Sequence, residues 1–149
     1  MSHITSIEIE ITDLDALAKA CEKIGCEFVP NKETYKWFGV SVGDYPLPTG
    51  FTVDELGKCE HAIRVKNGST STYEVGVVTR RDGKPGYALH FDHWLGGYGL
   101  VDVVGNNCDK LVDRYAAEVA MNAAMMSGMM CIGDQVMEDG SIELLFAQQ

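Results

Sequence analysis

The chain has 149 residues, 46% hydrophobic and 23% charged, the balance of a soluble globular domain rather than of a disordered or low-complexity chain. Its 12 Lys and Arg against 22 Asp and Glu give a formal net charge of -10, and because phosphate backbones are bound by clustered basic side chains, direct nucleic-acid binding is disfavoured. The same acidity suits a basic protein partner, mimicry of nucleic acid on a protein that binds it, or solubility alone.

The opening MSHITSIEIEITDLD alternates polar and apolar residues and has no basic segment leading into an apolar core, which predicts a cytoplasmic chain without a signal peptide. No apolar run nears the roughly 20 residues that span a bilayer, so no membrane association is expected. Ile7, Ile9 and Ile11 alternate with Glu8 and Glu10, so residues 3–11 read as a strand with one buried face. Thr12 then stands at a helix cap with Asp15 three residues on. Leu14, Leu17, Ala18, Cys21 and Ile24 recur at helical spacing until Gly25 ends the run.

CEFV at 26–29 and TYKWFGV at 34–40 flank a turn-forming PNKE and predict a short hairpin. In SVGDYPLPTGFTVDELGKC, residues 41–59, prolines and glycines rule out a continuous element, although Thr52 and Glu55 can cap one helical turn closed by Gly57. Segments of this kind either pack over a core or serve as binding lids. Tyr45, Leu47 and Phe51 make this one apolar enough to pack, and packing over the core is the favoured use.

HAIRV, TYEVGVVTR and YALHFDHW are rich in β-branched and aromatic residues, and the turn formers KNGSTS and RDGKPG separate them, which predicts three consecutive antiparallel strands. Residues 96–107 read as a flexible glycine-rich connection, since GGYG has neither the lysine nor the spacing of a phosphate loop. A helix over about 108–127 follows, with a stripe of Leu111, Tyr115, Val119, Ala123 and Met126 facing the sheet. Asp139-Gly140 between two apolar stretches signals a closing two-residue hairpin. The order of elements implies a single α+β domain over 1–149, a two-layer sandwich of mostly antiparallel sheet with two helices on one face, a ferredoxin-like variant.

MSHITSIEIEITDLDALAKACEKIG, YEVGVV with its glycine turn, the aromatic strand ending in Asp and Trp, the helix with DRYAAEVA, and EDGSIELLF occur in the order of elements of a known family. On these segments the chain resembles the uncharacterised Ycf-type family of chloroplasts, cyanobacteria and phages, domain of unknown function 1257. The resemblance covers most of the chain, and its motifs are structural rather than catalytic, so it implies a fold but no settled activity. The proline-rich loop at 41–59 and the glycine segment at 95–107 depart from the short plastid form and are more like phage-type members, which implies a phage or bacterial source.

Side chains two apart on a strand share a face. If Ile63, Val65, Val75, Val77, Leu89 and Phe91 point to the helices, then Arg64, Glu74, Gly76, His90, Asp92 and Trp94 point the other way, onto a sheet face that a two-layer sandwich leaves open. That face, with Gly76 giving room and Tyr45 and Phe51 of the long loop beside it, is the predicted ligand- or partner-binding surface. The bland reading is the solvated side of a sheet. His90 and Asp92, with His61, also suggest a base and its orienting carboxylate in a small hydrolase or metal-dependent enzyme, but no nucleophile is placed beside them.

Cys59, His61, His90, His93 and His3 are all metal-ligand types, yet none stands at the spacing of a structural metal site, so neither a metal nor a cofactor is expected. The five cysteines are scattered without a CxxC pair, as reduced core thiols would be. Met121, Met125, Met126, Met129 and Met130 cluster at the end of the long helix, where they fill the core or support a homo-oligomer. The favoured function is a non-enzymatic binding or regulatory protein that engages a host or self protein, or a small ligand, through the open face.

Overall fold

Alternating isoleucines and glutamates build the first strand, β1 (Ile4–Ile11), in a computed structural model that describes residues 3–41 and 43–148. Helix α1 (Leu14–Lys23) follows at once, and Asp13 rather than Thr12 caps it, its side chain accepting the Ala16 N–H. Thr12 and Asp13 both present their backbone N–H to the hydroxyl of Tyr115, which leaves the aspartate as the residue with extended backbone at the cap. Then come β2 (Cys26–Val29), β3 (His61–Val65), β4 (Val75–Thr79) and β5 (Tyr87–Asp92). They form a five-stranded sheet in the order β1-β5-β4-β3-β2, every neighbouring pair antiparallel.

One face of this sheet carries Ile63, Val75, Val77, Leu89 and Phe91, packed against Leu17, Ala20 and Cys21 of α1 and Leu111 and Tyr115 of the long helix. The expected two-layer α+β sandwich is therefore present, with the predicted helix-facing residues in its core. A short helix α2 (Leu100–Val104) precedes the long α3 (Asp109–Met126), and the hairpin β6 (Met129–Val136) and β7 (Ile142–Gln148) packs on α3 as a separate two-stranded sheet. Among the described residues, no helix is long and apolar enough to cross a membrane.

Four local expectations are corrected. Residues 34–40 form no strand beside β2; only an isolated bridge between Thr34 and Lys58 appears there, and β2 pairs with β3 instead. On α3, Leu111 and Tyr115 are buried, but Val119 and Met126 are exposed and Arg114 and Glu118 take the inner positions. The hairpin causes this, because its Asp134 accepts two hydrogen bonds from Arg114 at 2.8 and 2.9 Å while Lys23 of α1 pairs with Glu118. The closing turn has three residues rather than two, for Met137 N–H donates to Ser141 C=O and Gly140 adopts the left-handed backbone at φ +87° that such a turn requires.

The fourth correction bears on function. The sheet face opposite the helices is not open, since residues of 31–41 and 43–59 lie across it. Tyr35 is buried there with Ile4 and Ala62, and Trp37, Leu56 and Cys59 pack around them. Gly76 does give room, but Tyr35 fills it. A Cβ at Gly76 would lie 2.3 Å from the Tyr35 ring. The long loop thus packs over the sheet, the use its apolar residues favoured.

Candidate functional site

The predicted site residues fall into three separate places. Arg64 is exposed on β3, where it makes two hydrogen bonds to its cross-strand partner Glu27 of the edge strand β2 at 3.0 and 3.1 Å. Glu74 is held by Lys32 at 2.9 Å and by the backbone N–H of Lys36 at 2.8 Å. Both line a polar surface groove of about 390 Å³ with Lys36, Lys66, Ser69 and Thr72. The exposed Arg64–Glu27 pair contributes little stability, whereas Glu74 is buried.

His90 and Phe51 form the second group. Gly76 on one side and Ser6 on the other lie opposite His90 in the sheet. Phe51 covers the imidazole edge-on at 4.7 Å, and the Arg81 guanidinium sits over that phenyl ring, 3.9 Å from its centroid. Arg81 is fixed in turn by Gly50 C=O and Glu55. Burial pushes the His90 imidazole down to about 4, and the nearby Arg81 charge adds to the effect. His90 is thus a neutral side chain under an aromatic cover rather than one facing an open surface.

The third group is built on Asp92, which is fully buried. One carboxylate oxygen accepts the backbone N–H of His3 at 2.9 Å and of Trp94 at 3.1 Å, and the other accepts that of Phe38 at 3.2 Å. A buried carboxylate needs such donors, each worth about 1.5–3 kcal/mol when the acceptor is charged. Asp92 therefore ties the start of β1, the covering segment and the turn after β5 to one point. Its oxygens serve these amides, and among the described residues no hydrogen bond joins it to His90, so the His90–Asp92 dyad is not formed.

Over that point sits a cluster of rings. His3 stacks on Tyr45 at 4.8 Å and meets Trp94 edge-on at 5.0 Å, while His93 lies 5.3 Å from Tyr45 and 5.5 Å from His3. Asp44 Oδ2 accepts a hydrogen bond from His3 Nε2 at 3.1 Å, which fixes the ring on that side. Phe38 and Tyr45 are exposed. Residues 95–99 extend this end in an unusual way: Leu95, Gly96, Gly97, Tyr98 and Gly99 are consecutive left-handed residues, with φ of 50°, 66°, 61°, 54° and 105°.

Such a run is rare for L-residues, at roughly 1–2 kcal/mol for each non-glycine member. The Tyr73 N–H bond to Gly97 C=O and the Thr72 hydroxyl bond to Tyr98 C=O, both 2.9 Å, hold it, and Tyr73 and Tyr98 meet edge-on. Leu95 is 66% exposed as a result. The segment read as flexible is therefore a shaped turn that presents an apolar side chain beside Trp94.

Of the candidate metal ligands His3 and His93 lie together in the ring cluster, and the others are dispersed. His61 Nδ1 accepts the Asn31 N–H and the ring packs against Phe28, whereas the Cys59 thiol donates to Lys32 C=O within the cluster around Tyr35. Among the described residues, no group of three or more His, Cys, Asp or Glu side chains is placed to hold a metal ion. Burial raises the thiols of Cys26 to about 11 and of Cys108 to about 12, and it raises Cys21 further. The sequence reading missed Phe38, His3 and Leu95 as surface-forming residues; the pairing of Phe38 with Asp92, 54 positions away, had no local signal. Compared with known protein families, curated proteins and solved structures, the chain matches none.

Proposed function

We propose that the chain is a non-enzymatic binding protein whose partner surface is the end of the sheet formed by Phe38, Tyr45, Trp94 and Leu95 over Asp92. The observation that carries this reading is the convergence on one buried carboxylate of three chain segments, each delivering an aromatic or histidine side chain to the same place. Aromatic anchors on a rigid frame are what energetic centres of protein interfaces are made of. Backbone strain gathered at one spot, here in Leu95 and Tyr98, is a further mark of a functional surface.

The partner carries apolar side chains to meet this patch and a basic rim to meet a chain of net charge -10. Kinship with the Ycf-type family belongs to the same proposal and is supported by the order of elements alone; in a phage-encoded chain the partner is a host protein. The test is native mass spectrometry of the chain purified from its natural host. A discrete added mass that disappears in a Tyr45→Ser/Leu95→Ser double variant and persists in Arg64→Ala supports the reading. A mass lost only in Arg64→Ala moves the site to the polar groove, and a bare chain overturns the proposal.

A further inference from the structure

The hairpin at the end of the chain presents an apolar surface that the body of the protein does not cover. Its inner face packs on α3 through half-buried Cys131, Leu144 and Phe146, pinned by the Arg114–Asp134 ion pair. On the outer side, Met130 is 48% exposed, Ile132 56% and Leu145 57%. Leu145 lies over Gly133, where a Cβ would come within 3.1 Å of it. Exposed Met125 and Met126 at the adjoining helix end enlarge the apolar surface at this end of the molecule, the kind of patch that marks an interaction site.

The two strands of the hairpin differ at their free edges. β6 has a register shift between Cys131 and Gly133, and bulges of this sort blunt an edge against further pairing. β7 is regular, reads IELLFAQ, and contains neither Lys, Arg nor Pro, the residues that commonly protect edges. Among the described residues, β6 is the only strand paired with it.

We infer that β7 pairs antiparallel with β7 of a second copy across a two-fold axis, making one continuous four-stranded sheet. A two-fold axis perpendicular to the sheet requires a residue to lie opposite itself, so that paired side chains share a face. The midpoint of Ile142–Gln148 is Leu145. In that register Leu144 faces Phe146 of the second copy and the strand's single charge, Glu143, faces Ala147, so like charges are not opposed. Leu145 meets its own counterpart on the outer face, flanked by Met130 of both copies.

Sedimentation velocity on the full chain tests this. The wild-type chain is expected at twice its 16.3 kDa mass, and Leu145→Lys, placing two like charges on the axis, is expected to weaken the dimer about 100-fold or more. Leu145→Thr, which retains strand propensity, serves if circular dichroism shows that the lysine variant fails to fold. Leu145→Cys in a Cys131→Ser background is expected to form an intermolecular disulfide on mild oxidation, because opposed Cβ atoms lie about 4.5–5.5 Å apart. Glu143→Cys in the same background is not. A wild-type chain that sediments as a monomer, or a dimer unaffected by both Leu145 variants, overturns the inference.

Discussion

His90 makes the stability of this protein sensitive to mild acid, and the size of the effect follows from its surroundings. The imidazole is 3% exposed beneath Phe51, and burial moves it from an ordinary 6.5 to about 4. The unfolded chain takes up a proton near 6.5 while the folded chain does not until about 4, so between these values the unfolded state binds more protons and stability falls as the pH is lowered. His90 thus contributes fully above pH 6.5, and its contribution is lost as pH falls to about 4. At about 1.4 kcal/mol per pH unit the whole loss is about 3 kcal/mol, and about 2 kcal/mol of it has occurred by pH 5.

Carboxylates titrate in part of this window, so the informative quantity is a difference between two proteins. Urea unfolding of wild type and His90→Gln at pH 7.5 and pH 5.0 provides it. The stability of the wild type relative to the variant should fall by about 2 kcal/mol between the two conditions, since glutamine does not titrate. NMR titration of the imidazole supplies an independent reading. A difference that stays constant within about 0.5 kcal/mol between pH 7.5 and pH 5.0, or an imidazole that titrates near 6.5, refutes the argument that Phe51 and Arg81 exclude the proton.

Other substitutions probe the covering segment and the Asp92 anchor. Gly76→Ala should destabilise by about 1–3 kcal/mol, because its Cβ would enter the Tyr35 ring; adding Tyr35→Leu should recover part of the loss in urea unfolding if that clash is the cause. Asp92→Asn replaces an acceptor of three amide bonds with a group that has only one acceptor oxygen, and about 3 kcal/mol or more of stability should go with it. Leu95→Gly removes a left-handed leucine, φ 50°, and should stabilise the fold by about 1 kcal/mol in thermal or urea unfolding while weakening any partner bound at Tyr45. Cys21, Cys26 and Cys108, buried and with raised thiols, should remain unreactive towards a disulfide reagent until the protein unfolds.

The helix-facing half of the structure was legible because its signal is local. Isoleucines at 7, 9 and 11 and valines at 75 and 77 repeat with the period of a strand, and the core cluster contains the residues that this period selects. The hairpin and both main helices declared themselves through turn residues and apolar spacing in the same way. The other face gave the opposite impression for a physical reason. Glu74, His90 and Asp92 recur at the period of a wetted face, yet all three are buried, since Lys32, the Lys36 amide, the Phe51 ring and three backbone N–H groups, two of them distant in sequence, stand where water was expected.

Backbone donors belong to every residue type except proline, so a segment that satisfies a carboxylate through them needs no particular sequence. That is why Lys36 and Phe38 had no visible tie to the sheet, and why an irregular cover was legible only as apolar content in a long loop. The distinction reaches the candidate site itself. Of the residues expected on an open face, those pointing into the sheet centre became part of the fold, and those at its end, Asp92, Trp94 and Tyr45, remained together because Asp92 binds the three segments that frame them. A partner surface on this protein is thus a product of the cover rather than of the sheet: Phe38 and Tyr45 come from the segment that closes the face and are exposed at the rim, Phe38 held by its amide bond to the buried carboxylate and Tyr45 by its stacking on His3, whose own amide bonds the same carboxylate.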